Sequence, residues 1–337
     1  MPFNKLDRSV FIAWTRVSRR SEQLARHLGA QFIRYNRWGN SKPIILLNLL
    51  FNSVSTIFRL FLVRPRYIFT FQAHPFVTLS ALVAKIFLRK STVIPDLHSA
   101  ALLDHFSGLS RLLSKRIWEN CPLIITHNPE SKDFLSDNID WISDRLFVLE
   151  DPISDFSMFS IPENENNKKL TGTFICRFSP DEPVQEFLKA IKPISDVKIF
   201  VTGNEKKAAF DITSYQSEHI RFTGFLNDLE YIHLLQNSDF VIVLTTREKT
   251  LLSGGYEALS LSKPLIVSDT QTLHQYFDEA VIFTGNKSDE IKNAIQKMRQ
   301  ELPRRKEMMG QLCTSKKVEW EEKYNNLIGR IKNLPQD

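Results

Sequence analysis

The sequence predicts an α/β protein of two domains, each built on a parallel, doubly wound sheet. Three observations carry that prediction. Short apolar, β-branched runs alternate with helical patterns along the chain, the scheme is repeated in both halves, and a polar seam separates them. A chain of 337 residues also exceeds the length that one hydrophobic core usually serves.

In the first half, strands are predicted at residues 10–14, 31–35, 67–71, 92–94, 123–126 and 146–149, with helical patterns at 22–28, 76–88, 109–120 and 129–135. The second half places strands at 173–176, 198–201, 220–222, 240–244, 265–267 and 281–283. Short links between strand and helix argue for parallel sheets, because a parallel crossover needs a helix. The seam is 151–169, where Pro152, Pro162 and the polar run 163–169 read as an exposed linker.

Composition narrows the function classes. A hydrophobic fraction of 42% and a charged fraction of 24% are those of a globular protein and exclude whole-chain disorder. Cys121, Cys176 and Cys313 are widely separated, which argues against a disulfide framework or a zinc site and suits a reducing cytoplasm. Residues 1–14 read as a first strand and not as a secretory signal. The net charge of +6 hides an asymmetry: residues 1–150 carry 20 Lys and Arg against 11 Asp and Glu, and residues 151–337 carry 24 against 27. The basic half calls for an anionic partner. No nucleic-acid motif is present, so a phospholipid surface or a phosphate-bearing acceptor fits better.

Residues 44–63 are long enough to cross a bilayer. Asn48, Asn52, Ser55, Thr56 and Arg59, however, recur at helical spacing as a polar stripe, so the segment is read as a helix packed on the sheet with peripheral membrane contact. Arg64, Arg66, Lys85, Arg89 and Lys90 flank the apolar segments and suit anionic headgroups.

In doubly wound sheets ligands bind beyond the carboxyl ends of the strands. In the first half three such loops carry reactive groups. Ser18 and Arg19 open a helix after the first strand, in a place suited to an anion. His74 ends the third strand, and Asp96 and His98 follow the fourth. Asp96, His98 and His74 are each candidates to take a proton from an acceptor hydroxyl; capping is the competing role for Asp96. In the second half the sharpest signal is Ser253-Gly254-Gly255-Tyr256-Glu257, a glycine loop opening a short helix that Lys263-Pro264 then closes before a strand. Bare backbone N–H groups at a helix start suit a diphosphate, and Glu257, one turn on, is placed to accept bonds from a diol such as ribose.

With its surroundings, this segment resembles the donor-binding region of GT-B-fold glycosyltransferases of the family-4 type (glycosyl transferases group 1). Further matches are Phe174-Ile175-Cys176-Arg177-Phe178, Phe222-Thr223-Gly224-Phe225, Ser238-Asp239-Phe240-Val241-Ile242 and Val318-Glu319-Trp320. The resemblance implies two Rossmann-like domains facing across a cleft: an acceptor domain at 1–155, a nucleotide-sugar domain at 170–315, and a final helix at 316–337 that crosses back to the first. It implies that Arg177 binds phosphate, Glu257 the donor ribose, and Ser253, Gly254 and Gly255 the pyrophosphate. Gly203 and Asn204 would lie under the base or phosphates, and Phe225 and Leu226 beside the nucleobase; Thr250 joins the donor loop.

There are departures. Where the family has a first glutamate eight residues before Glu257 stands Lys249, with Glu248 one residue earlier. Either Glu248 takes the catalytic place, or Arg247 and Lys249 neutralise the leaving diphosphate. The basic residue that usually follows the phosphate-binding arginine is absent, with Glu182 nearby. The run Phe178-Ser179-Pro180-Asp181-Glu182-Pro183 also resembles the inverting β-mannosyltransferases that extend lipid-linked chitobiose, so the stereochemical outcome stays open.

The expected function is transfer of a sugar from a UDP- or GDP-sugar to a lipid-linked or cell-surface glycan acceptor in polysaccharide biosynthesis, peripherally at the cytoplasmic face of the cell membrane. No cofactor or metal is required on this reading, since no Asp-x-Asp motif follows a strand and a helix start with Arg and Lys supplies the positive charge. The alternatives are an inactive partner subunit of the same fold and a UDP-sugar 2-epimerase.

Overall fold

The computed structural model describes residues 5–15, 18–35, 41–97, 109–154, 156, 169–248 and 250–335. The chain divides into two compact units, one of Met1–Pro152 with Glu319–Asp337, the other Ile153–Val318.

The first unit holds a six-stranded sheet in the order β2-β1-β3-β4-β5-β6, with every pair parallel. Its strands are β1 (Ser9–Ala13), β2 (Gln31–Arg34), β3 (Tyr67–Gln72), β4 (Thr92–Leu97), β5 (Ile124–Thr126) and β6 (Leu146–Val148). The helices between them are α1 (Arg19–Leu28), α2 (Lys42–Val63), α3 (Pro75–Phe87), α4 (Leu109–Glu119) and α5 (Pro129–Asn138). Strand β1 is buried at every position, as a central parallel strand covered on both faces must be. Helix α1 starts at Ser18, whose side chain accepts from Ser21 N, and ends at Gly29 with φ 67°. Those are the hydroxyl N-cap and left-handed glycine C-cap that satisfy helix-end groups.

Strand β4 runs longer than its apolar stretch predicts. It continues through Pro95 and Asp96, so Asp96 lies inside the sheet and pairs in register with Phe71 and Ile125. Helix α2 packs on the sheet with its polar stripe turned inward: Asn48, Asn52 and Thr56 are buried, and the indole N–H of Trp14 donates to Thr56 Oγ1 at 3.1 Å.

The second unit repeats the plan, with strand order β12-β11-β10-β7-β8-β9, again all parallel. Its strands are β7 (Leu170–Phe174), β8 (Val197–Thr202), β9 (Ile220–Gly224), β10 (Phe240–Val243), β11 (Leu265–Ser268) and β12 (Ile282–Thr284). Helices α6 (Val184–Ile191), α7 (Asp228–Gln236), α8 (Ser253–Ser260) and α9 (Gln271–Phe277) connect them. Helix α6 buries Val184, Phe187, Leu188 and Ile191, and Phe187 packs on Phe174 of β7 with ring centroids 4.0 Å apart.

Helix α10 (Ser288–Lys332) closes the chain. Its early residues Ile291, Ile295 and Met298 belong to the core of the second unit. Its late residues Trp320, Tyr324, Leu327 and Ile331 join Phe11, Leu24 and Leu28 in the core of the first.

Candidate functional site

The second unit changes direction at β7. The chain adds β8 and β9 on one side and then returns to place β10 on the other, so the crevice between the carboxyl ends of β7 and β10 is the switch point where such sheets take ligands. The loop after β7 carries Arg177 and the loop after β10 carries Arg247 and Glu248, and the structure brings these loops together. Thr246 N donates to Asp181 O at 2.7 Å, and Arg247 Nε lies 3.5 Å from Asp181 Oδ2. Arg177, with a side chain 79% exposed, and Glu248 are both open to solvent there. Glu182 shapes the first loop: its Oε2 accepts from Arg177 N at 2.8 Å and Ser179 N at 2.9 Å. Phe178 between them takes a left-handed φ of 58°. Cys176 in this loop is no nucleophile, because burial, helped by the charge of Glu182, pushes its thiol pKa well up.

Gly203, after β8, abuts the same loop. Its φ is 96° and a β-carbon would lie 2.2 Å from Cys176 O, so only glycine fits. Asn204 caps the following turn by accepting from Lys206 N at 3.2 Å. Beyond β9, Phe225 is 89% exposed, while Leu226 lines a cavity of about 430 Å³ on the flank of the sheet with Lys198, Phe200 and His233. The structure therefore gives Leu226 a flank position and leaves Phe225 exposed after β9.

The glycines of α8 need a correction. Both are buried: a β-carbon on Gly254 would press on Ile175 and Val243 at the sheet, and one on Gly255 on Phe277 of α9. They permit close packing of α8 on the sheet and on α9, and Gly255 N–H is spent on Leu252 O at 2.9 Å. The N–H groups of Ser253 and Gly254, ahead of that bond, are the helix-start donors that precede the first intrahelical bond. Ser253 itself is exposed and Thr250 donates to Glu248 O at 3.2 Å. Glu257 is buried and its Oε2 accepts from the Tyr231 hydroxyl of α7, so it serves the core of the unit as well as any ligand. Lys249 and His98 lie outside the described residues.

In the first unit the switch point lies between β1 and β3, where Ser18, Arg19 and His74 sit. His74 is the N-cap residue of α3 and its ring lies 5.4 Å from that of Trp14. Asp96 does something else. It has no exposed surface and is gripped by Arg20, whose Nη2 is 2.7 Å from Oδ1 and whose Nε is 3.0 Å from Oδ2. Arg20 also reaches Asp151 Oδ1 at 2.8 Å and Leu149 O at 2.9 Å. Burial alone would depress the guanidinium pKa, but the charges of Asp96 and Asp151 outweigh it and raise the value. A carboxylate held this way is the counter-ion of a buried arginine, so the proton-accepting role predicted for Asp96 gives way to an ion pair. His127, at the end of β5, stands beside it with Nε2 3.6 Å from Asp96 Oδ1.

Residues 156–311 match the family profile of glycosyl transferases group 1. The chain is a glycosyltransferase. HepE from Anabaena, solved with UDP-glucose, superposes with a TM-score of 0.70 at 12% identity over 95% of this chain and 99% of that one. Sucrose-phosphate synthase from Thermosynechococcus elongatus gives 0.69 at 12% over 96% and 98%. A glycosyltransferase from Rickettsia africae gives 0.63 at 9% over 96% and 99%. These likenesses carry the fold, GT-B. No curated protein matches the transferase in sequence.

Sequence reasoning gave no role to four side chains that the structure pairs: Arg20 and His127 beside Asp96, Asp181 with the loop after β10, and Tyr231 with Glu257. For Arg20 a signal existed. The buried positions of α1 are Arg20, Ser21, Leu24, Ala25 and Leu28, one helical face, and an arginine on that face requires a carboxylate. For Tyr231 and Asp181 no local pattern points to partners 26 and 65 residues away.

Proposed function

We propose that the chain moves a sugar from a UDP-sugar, with GDP-sugar the second choice, onto a hydroxyl of a lipid-linked or glycan acceptor, at the cytoplasmic face of a membrane. The observation that carries this reading is the placement of Arg177, Arg247 and the open start of α8 on the loops around the β7–β10 switch point, two exposed arginines, each near a carboxylate, beside a helix N-terminus. UDP and UDP-glucose bound to HepE support a uridine donor.

In the reaction the bond between the sugar's anomeric carbon and the diphosphate oxygen breaks, and a bond from that carbon to the acceptor oxygen forms. The diphosphate leaves with two negative charges gathering on its terminal phosphate, and Arg177, Arg247 and the N–H groups of Ser253 and Gly254 stabilise them. No metal is assigned to that task. Glu257 takes the ribose hydroxyls, its carboxylate oriented by Tyr231. The acceptor proton passes to His74 or to the departing diphosphate, since Asp96 is committed to Arg20.

The test is a panel of UDP- and GDP-sugars incubated with the purified chain and a membrane lipid extract. Transfer of label to the lipid phase with release of nucleoside diphosphate is expected, along with a higher melting temperature in UDP. Neither transfer nor diphosphate release with any donor would overturn the reading, and epimerisation of the donor without an acceptor would replace it.

A further inference from the structure

The first unit turns one of its helices inside out. Along α2 the buried residues Asn48, Asn52, Thr56 and Leu60 recur every fourth position and define the inward face. Thr56 receives the Trp14 indole N–H, and the Tyr35 hydroxyl is hydrogen-bonded to Thr56 and Arg59. The outward face is apolar: Leu47 is 62% exposed, Val54 67%, Phe58 63% and Leu62 66%. Helix α3 extends this surface with Ile86 and Phe87, and Phe61 of α2 meets Phe87 with ring centroids 5.7 Å apart. A helix facing water presents the opposite polarity. The segment Pro43–Val63 is long and apolar enough to cross a membrane, but its polar face is bonded sideways to the sheet, which fixes it against the unit and not through a bilayer.

At the carboxyl ends of α2 and α3 the surface changes character. Arg66, Lys85, Arg89 and Lys90 surround a cavity of about 400 Å³. Arg145 lines it too, its guanidinium donating to the carbonyls of Glu119 at 2.6 Å and of Trp118 and Cys121 at 3.3 Å. The one carboxylate in the wall, Glu119, is already paired with Arg116 at 3.1 Å. Among the described residues no carboxylate pairs with Arg66, Lys85, Arg89 or Lys90.

We propose that the α2–α3 face docks in the plane of a bilayer containing anionic phospholipid, with its apolar side chains at the acyl boundary and the cationic cavity taking headgroup phosphate. An apolar face bordered by unpaired cations matches such a surface in both polarity and charge sign. A second copy of the chain would bring the same positive charges to the contact, whereas an anionic bilayer brings the opposite ones. For its use, presenting the first unit to a lipid-linked acceptor, the proposal rests on the function proposed above.

Flotation of the full chain with vesicles tests it, using phosphatidylcholine alone and phosphatidylcholine mixed with phosphatidylglycerol, at low and high salt. The chain is expected to float with the anionic vesicles, at least tenfold more weakly with neutral ones or at high salt. The double variant Val54→Asp/Phe58→Asp is expected to lose binding to both. Arg89→Glu/Lys90→Glu is expected to lose at least tenfold on anionic vesicles and to keep whatever neutral vesicles bind. All four substituted side chains point outward, so each variant should unfold at the wild-type temperature; a lowered melting temperature would itself contradict the outward placement. Failure of the wild type to float, or a dimer in sedimentation that Val54→Asp/Phe58→Asp dissociates, would overturn the proposal. Sugar transfer to a soluble acceptor is read in parallel. Flotation without transfer breaks the function reading alone, and transfer without flotation breaks the docking surface alone.

Discussion

The two units share one plan and differ in the polarity of their outward helix faces. In the second, α6 buries Val184, Phe187 and Leu188 against the sheet, Glu257 and Arg305 are buried with Tyr231 and Glu301 as partners, and Asp181, Glu182 and Asn286 organise loops. The first carries polar groups inside, among them Arg20 with Asp96, Trp14 with Thr56, and Gln72 Oε1 accepting from Thr78 at 2.9 Å and Trp118 at 3.2 Å. It displays large apolar side chains outside on α2 and α3. Doubly wound topology thus leaves open which face of a crossover helix is apolar. That choice follows the medium each face meets, and on the docking proposed above α2 and α3 meet a bilayer.

The sharpest way to break this comparison is to truncate one phenylalanine in each unit. Phe187→Ala should cost about 3–5 kcal/mol, as for a large buried side chain. Phe58→Ala should stay within about 0.5 kcal/mol, as for a surface change. Urea titrations of both variants decide it; an equal loss at Phe58 would mean that α2 is packed on its outward side too.

A second pair compares the buried carboxylates. Asp96→Asn leaves buried Arg20 with Asp151 as its remaining counter-charge and should cost up to about 3–5 kcal/mol. Glu257→Gln keeps an acceptor for the Tyr231 hydroxyl and should cost about 1 kcal/mol or less while weakening UDP binding. Calorimetric unfolding and nucleotide titration together separate a structural carboxylate from a binding one. If Asp96→Asn proved stable but slow in turnover, Asp96 would return to the list of bases.

Smaller effects sharpen the contrast. Thr56→Val removes the acceptor of a buried indole N–H and should cost about 1–3 kcal/mol, although it makes the inward stripe more apolar. The smallest effect is that of His27. Burial, then the neighbouring Arg26, depress its pKa to about 4, and its ring meets Trp320 edge-on at 4.7 Å. A depressed histidine is neutral when folded, so its stabilising contribution is complete above about pH 6.5 and is lost as the pH falls toward 4. The melting temperature of His27→Gln should therefore decline less than that of the parent between those values; identical slopes would show that His27 is not the group involved.

The sequence alone was sufficient for the alternating elements, the two parallel sheets and the helix start at Ser253. These rest on local periodicity and turn chemistry, which act over a few residues. Tertiary structure decided the rest. It packed Gly254 on the sheet and Gly255 on Phe277, tied Glu257 to Tyr231, and extended β4 so that Asp96 became the partner of Arg20. It also chose which side of α2 faces out, a stripe whose residues were all legible but whose direction was not. The physical reason is common to these cases. Burial and pairing of a polar group depend on what lies opposite it in space, and Arg20 and Asp96 are 76 residues apart in the chain.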